Sequence, residues 1–262
     1  MQTILQTIFS FTDTGRYFVL RRVCSQFRSL LPKIEPIHYI NLLCREKQFS
    51  PFAVSSSLAL EAAEKGCLDI VKRGIYTLYS QHSLEVAVRS GQLEIAKYLY
   101  TCGFVPNAKT CYLAAEKGYL EILKWLRSVG CPWNESTCDA AAFYGHLDLL
   151  QWLREQDCPW DERVCESAAY CGHLHILIWA RNNGCPWSKR TFTSALVRPR
   201  LLILEYLLVN QCPWSKQAYE TAAFNCNVWA LDWLKKNGCP LGRIHSSNIR
   251  SKEVQEWVKQ NL

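Results

Sequence analysis

The chain has 262 residues, 49 % of them apolar and 20 % charged, with a formal net charge of +7. That balance excludes a disordered polyelectrolyte and supplies enough apolar surface for one large or two small cores. No run approaches the roughly 18 uncharged apolar residues of a membrane span, and the opening MQTILQTIFSF lacks the basic flank and small-residue cleavage site of a secretory signal.

Residues 1–31 hold two apolar helical patterns. ILQTIFSF is the first, and TDTG interrupts it. RYFVLRRVCSQFRSLL then resumes, with Phe18, Val19, Val23 and Phe27 along one side and Leu30 or Leu31 continuing it. Pro32 and Pro36 mark the exit. Residues 37–55 read as a connecting helix and linker. A boundary near Pro51 divides an N-terminal helical segment, 1–50, from a repeat domain, 51–262. The segment carries 7 basic and 3 acidic side chains, so it supplies +4 of the net charge. The remaining 212 residues supply only +3, with no concentrated basic stripe for nucleic acid.

Two readings of residues 1–50 stand. One is an amphipathic helix pair covering the exposed edge of the repeats that follow. The other is a resemblance: ILQTIFSF looks like the first helix of an F-box, and LRRVCSQFRSL looks like that family's Leu-x-x-Val-Cys-x-x-Phe segment. The family's opening Leu-Pro has no counterpart here. The resemblance implies docking onto the Skp1 adaptor of ubiquitin ligases through Ile8, Leu20, Val23 and Phe27.

From residue 56 onward the chain repeats itself. CPW recurs at 131–133, 158–160, 185–187 and 212–214, and CPL stands at 239–241; the cysteines are 27 residues apart. The clearest copies are KTCYLAAEKGYLEILKWLRSVGCPW, STCDAAAFYGHLDLLQWLREQDCPW and RVCESAAYCGHLHILIWARNNGCPW. Weaker copies lie on both sides, and SNIRSKEVQEWVKQNL has the look of a terminal cap.

Each unit predicts two helices. The first runs about nine residues from an N-cap at Asn134, Asp161, Ser188 or Ser215, whose short side chains can take up an orphan backbone N–H. It carries a small pair, such as Ala141 with Ala142, and ends at Gly118, Gly145 or Gly172. The second is longer and amphipathic. Leu147, Leu150 and Leu153 share one side, Leu149 and Trp152 widen it, and a bulky ring holds one position throughout: Tyr98, Trp125, Trp152, Trp179, Tyr206, Trp233. One such hairpin cannot bury its own apolar face, so near-identical units at a fixed period predict an all-α solenoid of stacked helix-turn-helix pairs. Cys and Trp of CPW are then interface residues, and Pro punctuates.

The units resemble ankyrin repeats, most strongly over AAFYGHLDLLQWLREQD, 141–157. The 27-residue period is shorter than the family's approximately 33. The missing residues fall where the family carries a projecting β-hairpin, so a tight turn is expected there. Short units with GCPW are similar to ankyrin-like families of giant viruses and some protists; the protein is expected to be cytoplasmic, in a host cell if viral. In this resemblance the residue after the turn glycine, His146 or His173, hydrogen-bonds across neighbouring turns.

The 14 cysteines are expected to be reduced and mostly buried. A structural zinc needs four converging ligands at about 2.3 Å, whereas equivalent cysteines of a solenoid lie about 10 Å apart. No CxxC, Gly-rich phosphate loop, HExxH or GxSxG occurs. Neither enzymatic activity nor a cofactor is expected. What remains is a protein–protein interaction surface on a monomer, built from positions that vary while the frame stays fixed: Glu116, Lys117, Phe143, Tyr144, Tyr170, Cys171, Phe224 and Asn225. Phe143, Tyr144 and Tyr170 are expected to cluster. Trp229 stands alone where sister units have Glu121, Asp148 and His175, which makes it a hot-spot candidate. Skp1 is the one partner the N-terminal resemblance suggests; neither nucleic acid nor a membrane is expected.

Overall fold

The computed structural model describes residues 36–45, 54–78, 81–242, 244, 249 and 251–261. All the regular structure among them is helical, and no helix there is long and apolar enough to cross a membrane. The boundary expected near Pro51 lies outside the described residues. Contacts divide the chain into two compact units, Met1–Pro106 and Asn107–Leu262.

In the first unit, α1 (Pro36–Arg45) packs on α3 (Leu68–Arg73), and α3 pairs with α2 (Ser56–Lys65). The Asn41 side chain of α1 accepts from the Asp69 and Ile70 N–H groups at 2.9 and 3.1 Å, satisfying two orphan donors at the start of α3. A second pair follows, α4 (His82–Arg89) with α5 (Leu93–Thr101), and α4 lies against α2.

The second unit contains five consecutive pairs: α6 (Ala108–Glu116) with α7 (Leu120–Ser128), α8 (Glu135–Tyr144) with α9 (Leu147–Glu155), α10 (Arg163–Cys171) with α11 (Leu174–Asn182), α12 (Lys189–Val197) with α13 (Leu201–Val209), and α14 (Gln217–Phe224) with α15 (Val228–Lys236). The first helices pack directly on one another in series. The alanine pairs of four of them, Ala114–Ala115, Ala141–Ala142, Ala168–Ala169 and Ala222–Ala223, are buried and allow that approach, with Ala195–Leu196 in their place on α12. The second helices bury Leu123 and Leu126, Leu150 and Leu153, Leu204 and Leu207 against them. This is the helical repeat arrangement the period predicts. A final helix, α16 (Lys252–Asn261), closes the series: Trp257 packs on Tyr219 and donates from its indole N–H to Asp232 at 2.6 Å.

The caps follow the sequence in part. Asn134 accepts from the Ser136 N–H, and Ser188 forms a full capping box with Thr191; Asn107 and Thr110 form another. Two expectations need correction. The helix after Asp161 starts one residue late, with Glu162 in the cap position, although the Asp161 carboxylate still accepts from the Arg163 N–H at 3.1 Å. Ser215 does not cap at all: Lys216 takes that position, and the Ser215 hydroxyl is buried without a partner. The residues at the Thr110 and Thr191 positions are here Val164 and Ala218, with no hydroxyl to complete a box.

The turn between the helices of a pair is also the fastening to the next pair. Gly145 closes α8 at φ 86°, in the left-handed region. The His173 ring lies over it and donates from Nε2 to the Phe143 carbonyl at 3.2 Å. His146 reaches the Glu116 carbonyl, Arg200 the Gly172 carbonyl and Gln92 the Glu64 carbonyl in the same way, each at 3.2 Å. A Cβ added at Gly145 would stand 2.8 Å from His173 Cε1. Gly145→Ala therefore meets both backbone strain and a displaced ring, and should cost about 1–3 kcal/mol in urea unfolding of the intact chain. An unchanged midpoint would show that the ring does not need this approach.

Candidate protein-binding face

The frame behind the face is built from Cys, Arg and Trp. Each cysteine of the CPW and CPL turns follows a second helix, and its thiol donates to the carbonyl that opens the first helix of the same pair. These contacts are Cys131 to Asn107 at 3.3 Å, Cys158 to Asn134 at 3.8 Å, Cys185 to Asp161 at 3.3 Å, Cys212 to Ser188 at 3.7 Å and Cys239 to Ser215 at 3.9 Å. An inner cysteine stands close by in the first of these pairs: Cys111 donates to the Cys131 sulfur at 3.3 Å.

The thiols of Cys111, Cys138, Cys185, Cys212 and Cys239 are held protonated. The hydrogen bond to Cys131 and then burial push Cys111 far up; the same two causes act on Cys138 and Cys185, through Cys158 and Cys165 respectively. Burial alone raises Cys239 to about 11, and burial against the opposing Arg181 charge raises Cys212 to about 12. Cys131 moves down, because the Cys111 hydrogen bond and the Arg127 charge together outweigh burial. Protonated buried thiols are poor nucleophiles. Among the described residues no three His, Cys, Asp or Glu side chains converge as metal ligands.

An arginine four residues before the cysteine completes the frame, and the sequence reading missed it. Arg127, Arg154 and Arg181 each donate to the carbonyl of the following Cys131, Cys158 or Cys185. Each guanidinium also lies over the indole of the following CPW, 3.9 Å from the Trp133 centroid, 4.4 Å from Trp160 and 4.1 Å from Trp187. The indoles then meet the next second helix edge-on: Trp133 with Trp152, Trp160 with Trp179, Trp187 with Tyr206, at 5.8–6.3 Å. Arg, Trp and ring thus bridge successive second helices. Leu208 occupies the arginine position in the next unit, and Trp214 packs on Phe192 at 5.3 Å instead. The signal was available: Arg-x-x-x-Cys-Pro-Trp occurs in three consecutive units.

The turn end of the pairs carries the exposed aromatic residues. Phe143 and Tyr170 stack at 6.0 Å with 22° between their planes, and Tyr144 meets Phe143 at 5.1 Å. The three rings expected to cluster do so, and Phe143 and Tyr144 are exposed. Phe224 and Trp229, at 53 % and 45 % exposure, lie on α14 and α15, two pairs further on. Glu116, read as a surface position, is buried at 6 % and paired with Lys117 at 3.1 Å. His173 is held below the ordinary imidazole range, first by burial and then by the charges of His175, Arg200 and His146, against the Phe143 hydrogen bond. It is a neutral donor at physiological pH. Ile8, Leu20, Val23 and Phe27 lie outside the described residues. No protein-family model matches the chain, and no curated protein matches it closely enough to count as a relative.

Arg154→Ala removes one carbonyl donor and one ring contact, and should lower stability by about 1–2 kcal/mol in urea unfolding followed by tryptophan emission. Arg154→Lys keeps the charge but not the planar fork, so it should recover only part of the loss. Full recovery by lysine would show that stacking on Trp160 contributes nothing.

Proposed function

We propose that the chain is a non-enzymatic protein-binding module, in which ankyrin-like units hold a protein partner at the aromatic turn cluster. The observation that carries this reading is the Phe143–Tyr144–Tyr170 cluster. Phe143 and Tyr144 are exposed beside the half-buried Tyr170, and aromatic anchors on rigid supports dominate protein interfaces. Phe224 and Trp229 extend the same kind of surface. No cofactor enters the proposal.

The N-terminal segment makes the module an adaptor. Its resemblance to an F-box supports a link between the bound target and a Skp1-containing ubiquitin ligase in the cytoplasm. The resemblance rests on ILQTIFSF and LRRVCSQFRSL.

Both parts are tested with the folded full-length chain. Skp1 should bind it, and Leu20→Asp with Val23→Asp should abolish that binding. A folded chain that fails to bind Skp1 removes the ubiquitin link and leaves a binding scaffold with a capped edge. A partner captured by the repeats should weaken by about 2 kcal/mol or more on Phe143→Ala with Tyr144→Ala, measured by calorimetric titration. A partner indifferent to both changes places binding elsewhere.

A further inference from the structure

The α12–α13 turn lacks the positive-φ residue that its sister turns keep, glycine at three of them and Cys226, φ 54°, at the next. Gly118, Gly145 and Gly172 become Pro199, and the flanking residues are Arg198 and Arg200. Arg198 leaves the helix at φ −132°, without the left-handed cap found at Gly145 and Gly172. Local rules are broken most often at functional sites. Arg200 has a structural task, since it lies over Gly172 and donates to its carbonyl. Arg198 has none of that kind. It is exposed, and its guanidinium sits 5.8 Å from the Tyr170 ring centroid. Neither arginine is ion-paired among the described residues.

The charge is also confined to one place. The residues equivalent to Arg198 are Lys117, Tyr144, Cys171 and Asn225, and Lys117 is already paired with Glu116. The residues equivalent to Arg200 are Tyr119, His146, His173 and Asn227. On the neighbouring second helices the exposed Glu121 and Asp148 give way to His175, then to the exposed Leu202 and Trp229. A cationic point therefore stands beside the Phe143–Tyr170 stack, on the turn that leads into the exposed Leu201 and Leu202. A polyanion such as nucleic acid needs a basic track along several phosphates, and this face offers none. A carboxylate next to an aromatic or aliphatic side chain matches it, because a free guanidinium fork over a ring presents parallel donors to a carboxylate.

We propose that the partner of this face is an acidic protein segment, whose carboxylate is taken by Arg198 while a neighbouring apolar side chain packs on Phe143, Tyr170 or Leu202. The proposal rests on the protein-binding reading above and adds the chemistry of the partner.

The test is selection from a random-peptide display library on the full-length chain, followed by fluorescence titration of the selected peptides. The expected peptides contain Asp or Glu beside an aromatic or aliphatic residue. They should bind Arg198→Glu about tenfold or more weakly and Arg198→Gln to an intermediate extent, and they should weaken as salt rises. Arg198 holds no turn carbonyl, so both variants should melt like the parent; Arg198→Gln keeps the comparison valid if the charge reversal unfolds the turn. Peptides that are lost on Phe143→Ala but not on Arg198→Gln or Arg198→Glu overturn the acidic-segment proposal and leave the protein-binding reading intact. Peptides indifferent to all these changes, or no selected peptide, overturn both. Oligodeoxythymidine or phosphatidylserine vesicles bound through Arg198 in preference to the peptides overturn the assignment of a protein partner.

Discussion

No helix here can stand alone. In the second unit the helices run 8–10 residues, below the roughly 12–15 at which an isolated helix becomes even marginal in water. Pairing two of them does not solve the problem, because the alanine face of each first helix still lies open. A neighbouring pair covers it, and the same need passes to that neighbour. Ala114, Ala141, Ala168 and Ala222 are fully buried through this reciprocity. The series closes where the need is met differently, by Trp257 of α16 on Tyr219.

The period of Cys, Pro and Trp follows from that constraint. A pair must be closed on itself before it can be stacked, and the cysteine thiol closes it by reaching the carbonyl that opens the first helix. Successive second helices must also be joined, and the tryptophan does so between an arginine on one helix and a ring on the next. Where Leu208 replaces the arginine, the tryptophan turns inward to Phe192, a ring standing where other units have Cys111, Cys138 and Cys165. The turn end of the stack is left free of these duties, apart from the His146, His173 and Arg200 fastenings, and there the aromatic and cationic side chains face solvent.

Much of this was legible from residues because it depends on short-range periodicity. The 27-residue spacing, the alanine pairs, the caps at Asn134 and Ser188 and the Phe143–Tyr170 neighbourhood all follow from one unit repeated. What was not legible depends on the reach of single side chains. The Arg127 donation to the Cys131 carbonyl needs the path of the chain beyond the helix end. The missing cap at Ser215 does not show in its residue type, since Ser188 caps at the equivalent place. Glu116 looked exposed by its place in the repeat, yet the His146 ring on its carbonyl and the Lys117 pair bring it inside. The place of Arg198 over Tyr170 is a contact between units rather than within one, so the repeat alone does not reveal it.

Far-UV circular dichroism of nested fragments, each starting at Asn107 and lengthened by one helix pair at a time, tests the dependence of every pair on its neighbours most directly. A single pair should show no helical signal, and helicity with cooperative melting should emerge once about three adjacent pairs are joined. A single pair that folds by itself, or fragments that stay unfolded until all of residues 107–262 are present, would contradict it.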